Sequence, residues 1–413
     1  MKKIMKCLAA LMLLFTTIVP FGTTAHAEEI VEINFMIPDW GAPSEELLKE
    51  FEEQSGIKVN VLPTAWDDIR DKLAIAAAGN TVAADVFEVD WSWVGEFVNA
   101  GWLAPIELED ADDFPALSQF AVDETVYGVP YANDFRIGYY NKRMFNEGEV
   151  DESVTSWDKV IETAKTLKEA GVVEYPVSIP IEAGENTTTT FLWLALSRNG
   201  VVFNEDGTLN AEAALDALTV YEELMTNELV DLGNVNSSGY DSFMPIVNGD
   251  AAFVVGPSGL LQMVEGEDSA VKGEVETVLL PGKETTSPVT ASFQEGVGIS
   301  PNTEHPEAAL EFVKWYTSPE TQARLFDELG SLPTRISVLE KIVEEGKINN
   351  AGVMTELAGM IESPFPHGVP AYYTEMSAEI YNVINQLATG KLTAEEAAEQ
   401  MVENVNKVVE ANK

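Results

Sequence analysis

The stretch from Glu29 to Pro63 constrains this chain most, because its hydrophobic period changes from two to 3.6 and back in quick succession. Ile30, Glu32 and Asn34 alternate with Val31, Ile33 and Phe35, the pattern of a half-buried strand, and the run stops at Pro38. Ser44 then stands as N-cap to a helix carrying Leu47, Leu48 and Phe51 at helical spacing. Gly56 is its natural stop, and Ile57 to Pro63 reads as the next strand. A second helix, Trp66 to Ala78, ends at Gly79-Asn80 and precedes a short strand from Asp85 to Val89. Strands and helices in this alternation predict an α/β fold, a mostly parallel sheet flanked by helices.

The residues before that pattern read differently. Lys2, Lys3 and Lys6 precede an apolar run from Leu8 to Phe21, and Ala25-His26-Ala27 follows, which is the layout of a secretory leader cleaved after Ala27. The apolar run is short for a bilayer span of roughly 20 residues. Cys7, the single cysteine, lies ahead of the run instead of closing it, so neither a lipobox tether nor a disulfide is expected. The mature chain is therefore predicted to work in a secreted or periplasmic setting. Its 413 − 27 = 386 residues exceed the roughly 250 to 300 at which one core stops growing, so two lobes are expected.

Charge narrows the partners. Without the three leader lysines, 24 − 3 = 21 basic residues face 69 acidic ones, a formal charge of −48 with histidine neutral. Such a surface repels nucleic acid and anionic headgroups, so neither is an expected partner. A hydrophobic share of 46% is ordinary for a globular protein, which places the carboxylates on the outside of a folded chain. They suit a salty or alkaline medium, where repulsion is screened or solubility is at a premium.

Further along, Tyr127 to Tyr131 leads into an extended Arg136 to Asn141, and Thr155 with Asp158 predicts a capping box for a helix through Trp157 and Leu167. Asn210 caps a helix with Leu215, Leu218 and Tyr221; Ala251 to Val255 and Val275 to Leu280 read as strands. Pro306 and Ser318-Pro319 open helices, and Thr393 with Glu396 announces the last one.

Several predicted loops carry an aromatic ring beside a charge: Trp40 next to Asp39, Trp66 at a helix start, Glu88 to Trp93 after a strand, and Tyr131 to Arg136. In an open α/β sheet such loops meet in the crevice beyond the strand ends. A sugar ring presents an apolar C–H face that an indole or phenol can cover, while its rim hydroxyls need donors and acceptors of the Asp, Glu, Asn and Arg kind. Taken singly, each tryptophan is equally well placed as a core residue.

Catalytic constellations are lacking. The mature chain has no cysteine nucleophile, and His305 and His367 lie in no metal-ligand spacing, so no metal or cofactor is expected. No phosphate-binding glycine loop occurs either. Among 69 acids a pair suited to glycoside hydrolysis is always available, which leaves a carbohydrate-active enzyme as an alternative. A second alternative is that Asp39, Glu88, Asp90 and Asp134 grip a polyamine or another cation.

An ordered set of short pieces carries a resemblance. Asp85-Val86-Phe87 through Trp93-Val94 to Gly101-Trp102-Leu103-Ala104-Pro105-Ile106 is followed by Tyr127-Gly128-Val129-Pro130-Tyr131, Tyr139 to Lys142 and Thr155 to Asp158. Asn248 to Phe253, Gly296 to Ser300, His305 to Tyr316 with Ser318-Pro319-Glu320, and Leu332 to Arg335 complete it. Together they resemble extracellular solute-binding proteins of the sugar type, the family that includes maltose-binding protein. The resemblance implies a two-lobe type II periplasmic-binding-protein-like fold, with mixed sheets flanked by helices and an interlobe hinge. It also implies a monomeric substrate-binding subunit that hands a carbohydrate to the membrane permease subunits of an ABC importer.

By that likeness the N-terminal lobe comprises 28–133 and 298–332 and the C-terminal lobe 137–293 and 336–413. Crossings fall near Asn133 to Ile137, Phe293 to Gly298 and Leu332 to Ile336. Ligand contacts map onto Trp40, Trp66, Glu88, Asp90, Trp91, Asp134, Arg136, Trp193, Ser258, Glu295, Arg335, Tyr372 and Tyr373.

Overall fold

The computed structural model describes residues 31–413 apart from 152, 238, 268 and 349–352, so the expected leader and Cys7 lie outside the described residues. In chain order its strands are β1 (Val31–Ile37), β2 (Ile57–Pro63), β3 (Val86–Asp90), β4 (Ala121–Val122), β5 (Thr125–Val126), β6 (Gly128–Ala132), β7 (Arg136–Asn141), β8 (Val177–Ser178), β9 (Phe253–Pro257), β10 (Val275–Val278) and β11 (Glu295–Ile299). They form two mixed sheets, ordered β2-β1-β3-β11-β6 and β10-β7-β9-β8, and a small β4-β5 hairpin. Helices flank both sheets, which gives the expected two-domain α/β architecture.

The first sheet begins as the sequence pattern requires. β1 pairs in parallel with β2 from Val31↔Ile57 to Ile37↔Pro63, and with β3 through Phe35↔Val86. The intervening helix Glu45–Ser55 is capped by Ser44, whose hydroxyl accepts from the Leu47 amide at 3.2 Å, and it stops at Gly56 with φ +74°. β11 joins late and antiparallel, returning to this sheet after the chain has built the second one. The helix expected from Thr155 starts one residue later: Ser156 is its cap, accepting from the Lys159 amide. The Thr393–Glu396 capping box forms at Ala394–Ala411.

One face of the first sheet, with Phe35, Val129, Tyr131 and Val297, packs against the helix Pro306–Tyr316; Phe35 meets Phe312 edge-on at 4.9 Å. Its opposite face, with Met36, Phe87 and Val89, belongs to an apolar cluster that continues through Trp91, Phe365 and Tyr373 into the second lobe.

Three connections between the lobes are bonded to one another. The Asn133 amide donates to the Leu332 carbonyl at 2.8 Å and its side chain to Pro333 at 3.2 Å, while Gln294 Nε2 donates to Asn133 Oδ1 at 2.9 Å. Phe293 N donates to the Asp134 carbonyl at 2.9 Å.

Candidate functional site

The floor of the cleft is set by register. Glu295 of β11 pairs with Asp90 of β3, and Val297 pairs with Glu88, so Glu88, Asp90 and Glu295 share one face at the carboxyl end of β3. Glu88 is fully buried, and its Oε2 accepts from the Tyr131 hydroxyl at 2.8 Å. Among the described residues Glu88 Oε1 and Glu295 Oε2 are both buried without a hydrogen-bond donor. Two buried carboxylates with oxygens left without donors repel each other, which favours the protonated form. Burial raises the carboxyl pKa of Glu88 to about 8 and that of Glu295 well above the usual range. Asp90 is lifted to about 6 by burial, against the hydroxyl and amide of Ser92, which both donate to it.

The facing wall comes from the second lobe. Arg136 is buried, donates to Asp134 Oδ1 at 2.8 Å and lies over the Phe293 ring at 4.7 Å. Its Nε meets no acceptor among the described residues. Burial raises the Asp134 carboxyl, with the Arg136 charge pulling the other way. Tyr240 is 46% exposed yet close enough to Asp134 and Glu295 for their charges to raise its phenol, after burial, which places it over the same space. Glu185, at the start of the helix Glu185–Asn199, accepts from the Tyr373 hydroxyl and from Ser377 at 2.6 Å. The cleft walls, and then the charge of Asp90, raise its carboxyl although the residue keeps an exposed edge.

The aromatic residues divide. Trp40 is 46% exposed and stacks on Tyr131, 6.2 Å between centroids and 20° between planes, a platform beside Glu88. Trp66 is half-buried against Trp93 at 4.6 Å. Trp91 departs from the expectation of an open ligand platform: only 4% exposed, it is surrounded by Phe293, Phe365 and Tyr373.

Trp193 requires a correction, because it lies in the core of the second lobe, 1% exposed and stacked near Trp157 at 6.1 Å. The helix begins at Glu185, so Trp193 sits about 12 Å further along the axis than the helix start. Arg335 is the second correction. Its guanidinium lies over Phe114 at 4.2 Å, donates to the Thr317 carbonyl at 2.6 Å and pairs with Asp110 and Asp113, which ties down the third connection instead of facing the cleft.

Ser258, at the end of β9, is buried and donates to the Asn133 carbonyl at 3.3 Å, beside Asp134. Tyr373 is buried and reaches the cleft only through its hydroxyl, while Tyr372 lines a separate cavity of about 430 Å³. Tyr131, Glu185 and Tyr240 were not among the expected contacts. Tyr131 lay within a recognised motif, whereas Glu185 and Tyr240 enter through packing of helices distant in sequence. Among the described residues no group of His, Cys, Asp and Glu side chains is arranged to hold a metal ion, and no helix is long and apolar enough to cross a membrane.

Residues 37–323 match the family of bacterial extracellular solute-binding proteins. The chain belongs to this family. It is therefore a binding protein and not an enzyme. A Brucella abortus protein named as a binding protein is 23% identical over 381 residues, spanning 89% of this chain and 90% of that one. The multiple sugar-binding protein of Streptococcus mutans is 25% identical over 345 residues, spanning 77% and 76%. Among solved structures, the sugar-binding protein MalE of Xanthomonas citri superposes with a TM-score of 0.78 at 20% identity, covering 92% of this chain and 98% of that one.

Proposed function

We propose that this protein captures a mono- or oligosaccharide outside the cytoplasm and delivers it to the permease of an ABC importer. The observation that carries the reading is Trp40, an exposed indole backed by Tyr131 at the edge of a cleft rimmed by Asp90, Asp134 and Arg136. A ring C–H face laid on the indole leaves the sugar hydroxyls beside carboxylates that accept and a guanidinium that donates, bonds strengthened by charge. The names of the Streptococcus mutans and Xanthomonas citri relatives agree with this chemistry.

Binding works through the two lobes. Trp40, Asp90 and Glu295 belong to one lobe, Asp134, Arg136 and Glu185 to the other, and the connections at Asn133, Phe293–Gln294 and Leu332–Arg335 are the proposed hinge. A ligand that touches both walls favours the closed form; inverting a one-to-ninety-nine mixture takes roughly 5.5 kcal/mol of such preference. The protein acts as a monomer exported by its leader, which places it in a periplasm or at a cell surface.

A cationic solute is the second reading, because carboxylates outnumber Arg136 around the cleft. A thermal-shift panel decides between them, since selective binding raises apparent stability by RT ln(1 + [L]/Kd). Neutral sugars are expected to raise the midpoint at low and high salt alike. A shift with putrescine or spermidine alone, abolished by salt, would replace the sugar reading with the cationic one.

A further inference from the structure

After β3 the first lobe turns through Trp91–Trp93 into the short helix Val94–Asn99, and this turn is seated on the second-lobe segment from Phe365 to Tyr373. Gly95 lies in that helix with no positive φ, so its backbone does not require glycine. Its neighbour does. A Cβ added at Gly95 would lie 2.2 Å from the Val369 carbonyl oxygen and 2.8 Å from the Ala371 nitrogen and the Pro370 carbonyl carbon. These are main-chain atoms, which cannot swing aside as a side chain can. The backbones of the two lobes thus meet across this position.

Two further observations place the contact where closure is decided. Next to Gly95, the Trp91 indole packs on Phe365 at 6.3 Å, nearly parallel, and on the edge of Tyr373 at 4.9 Å. The Tyr373 hydroxyl in turn holds Glu185, whose carboxyl feels Asp90 across the cleft. On the outer side the contact is bounded by the 430 Å³ cavity between Val98, Phe203 and Tyr372.

We infer that Gly95 and Trp91 form an interlobe latch: their seating on residues 365–373 holds the closed arrangement and sets ligand affinity without touching the ligand. This rests on the reading of the protein as a two-lobe solute receptor. Gly95 is then a positioning residue. Substitution there separates two effects that a merely structural role would couple, because alanine is the better helix former within the lobe while its methyl group wedges the lobes apart.

The test uses the mature chain with Gly95→Ala and Gly95→Val, measured by calorimetry with a sugar that binds the parent, by small-angle scattering and by urea denaturation. The expected result is affinity at least tenfold weaker in both variants, more so for valine, with an expanded scattering profile and a urea midpoint for Gly95→Ala equal to or above that of the parent. Affinity within twofold of the parent, or superimposable scattering curves, overturns the latch. Should no sugar bind the parent, the functional reading falls, and scattering alone judges the latch: expansion supports it and identical curves overturn it. If Gly95→Val does not fold, Gly95→Ala decides by the same measures.

Discussion

Replacing Glu88 by glutamine tests whether the buried carboxyl pair shares a proton. In the native chain Glu88 Oε2 accepts from Tyr131 while the opposite oxygen faces Glu295. Glutamine keeps the Tyr131 bond through its carbonyl and offers its amide to Glu295, and needs no proton to do so. The folded Glu88 carboxyl titrates near 8, above the ordinary 4.5, so between those values the folded state binds a proton that the unfolded state has released. For an acid raised in this way the stabilisation is complete below about pH 4.5 and is lost as pH rises towards 8.

The slope is ~1.4 kcal/mol per pH unit for each proton held, so raising the pH from 5.5 to 7.5 should cost the parent ~3 kcal/mol from Glu88 alone. Urea denaturation at the two pH values measures it in parent and variant. Repulsion among the surface carboxylates and the titration of Asp90, lifted to about 6, act with the same sign in both proteins and largely cancel in the difference. Glu88→Gln should therefore lose stability more shallowly with pH, by ~1.4 kcal/mol per unit. Equal slopes in the two proteins would show that the facing oxygens are not bridged by a proton, and the account of the cleft floor would be wrong.

The remaining expectations concern single side chains. Trp40→Ala should weaken sugar binding roughly three- to tenfold or more, because the stacking component alone is about 0.5–1.5 kcal/mol, while the thermal midpoint without ligand stays put since the indole is already 46% exposed; unchanged affinity in calorimetry would remove Trp40 from the site. Trp193→Ala should destabilise the fold by roughly 3–5 kcal/mol in urea, as expected of a core indole, and any fully folded variant that selectively loses ligand would reverse the correction made for it. Arg335→Met should destabilise on the order of 3 kcal/mol by leaving the Thr317 carbonyl without its donor and Asp110 and Asp113 without their cation, whereas a neutral effect in the same assay would show that the ion pairs do not secure the third connection.

The parts of this architecture that were legible in the sequence are those governed by neighbours along the chain. The strand at Ile57–Pro63, the helix at Trp66–Ala78 and the strand at Arg136–Asn141 lie where periodicity and end signals placed them, because each is set by a cap, a glycine or a hydrophobic alternation within a few residues. Of the candidate site, the structure places Glu88 and Asp90 in β3 and pairs Asp134 with Arg136 at the start of β7. What a ring does at the end of its strand was not legible in the sequence. Trp40 and Trp91 both follow strands beside an aspartate, yet one ends 46% exposed and the other 4% exposed, and what covers Trp91 is Phe293, Phe365 and Tyr373, far along the chain. Glycine at position 95 illustrates the same limit from the other side. In sequence it is a poor residue in a short helix, and only the main chain of the opposing lobe, 2.2 Å from where its Cβ would stand, supplies the reason. Local rules thus place the cleft, while contacts between the lobes determine which of its aromatic residues remain free to meet a ligand.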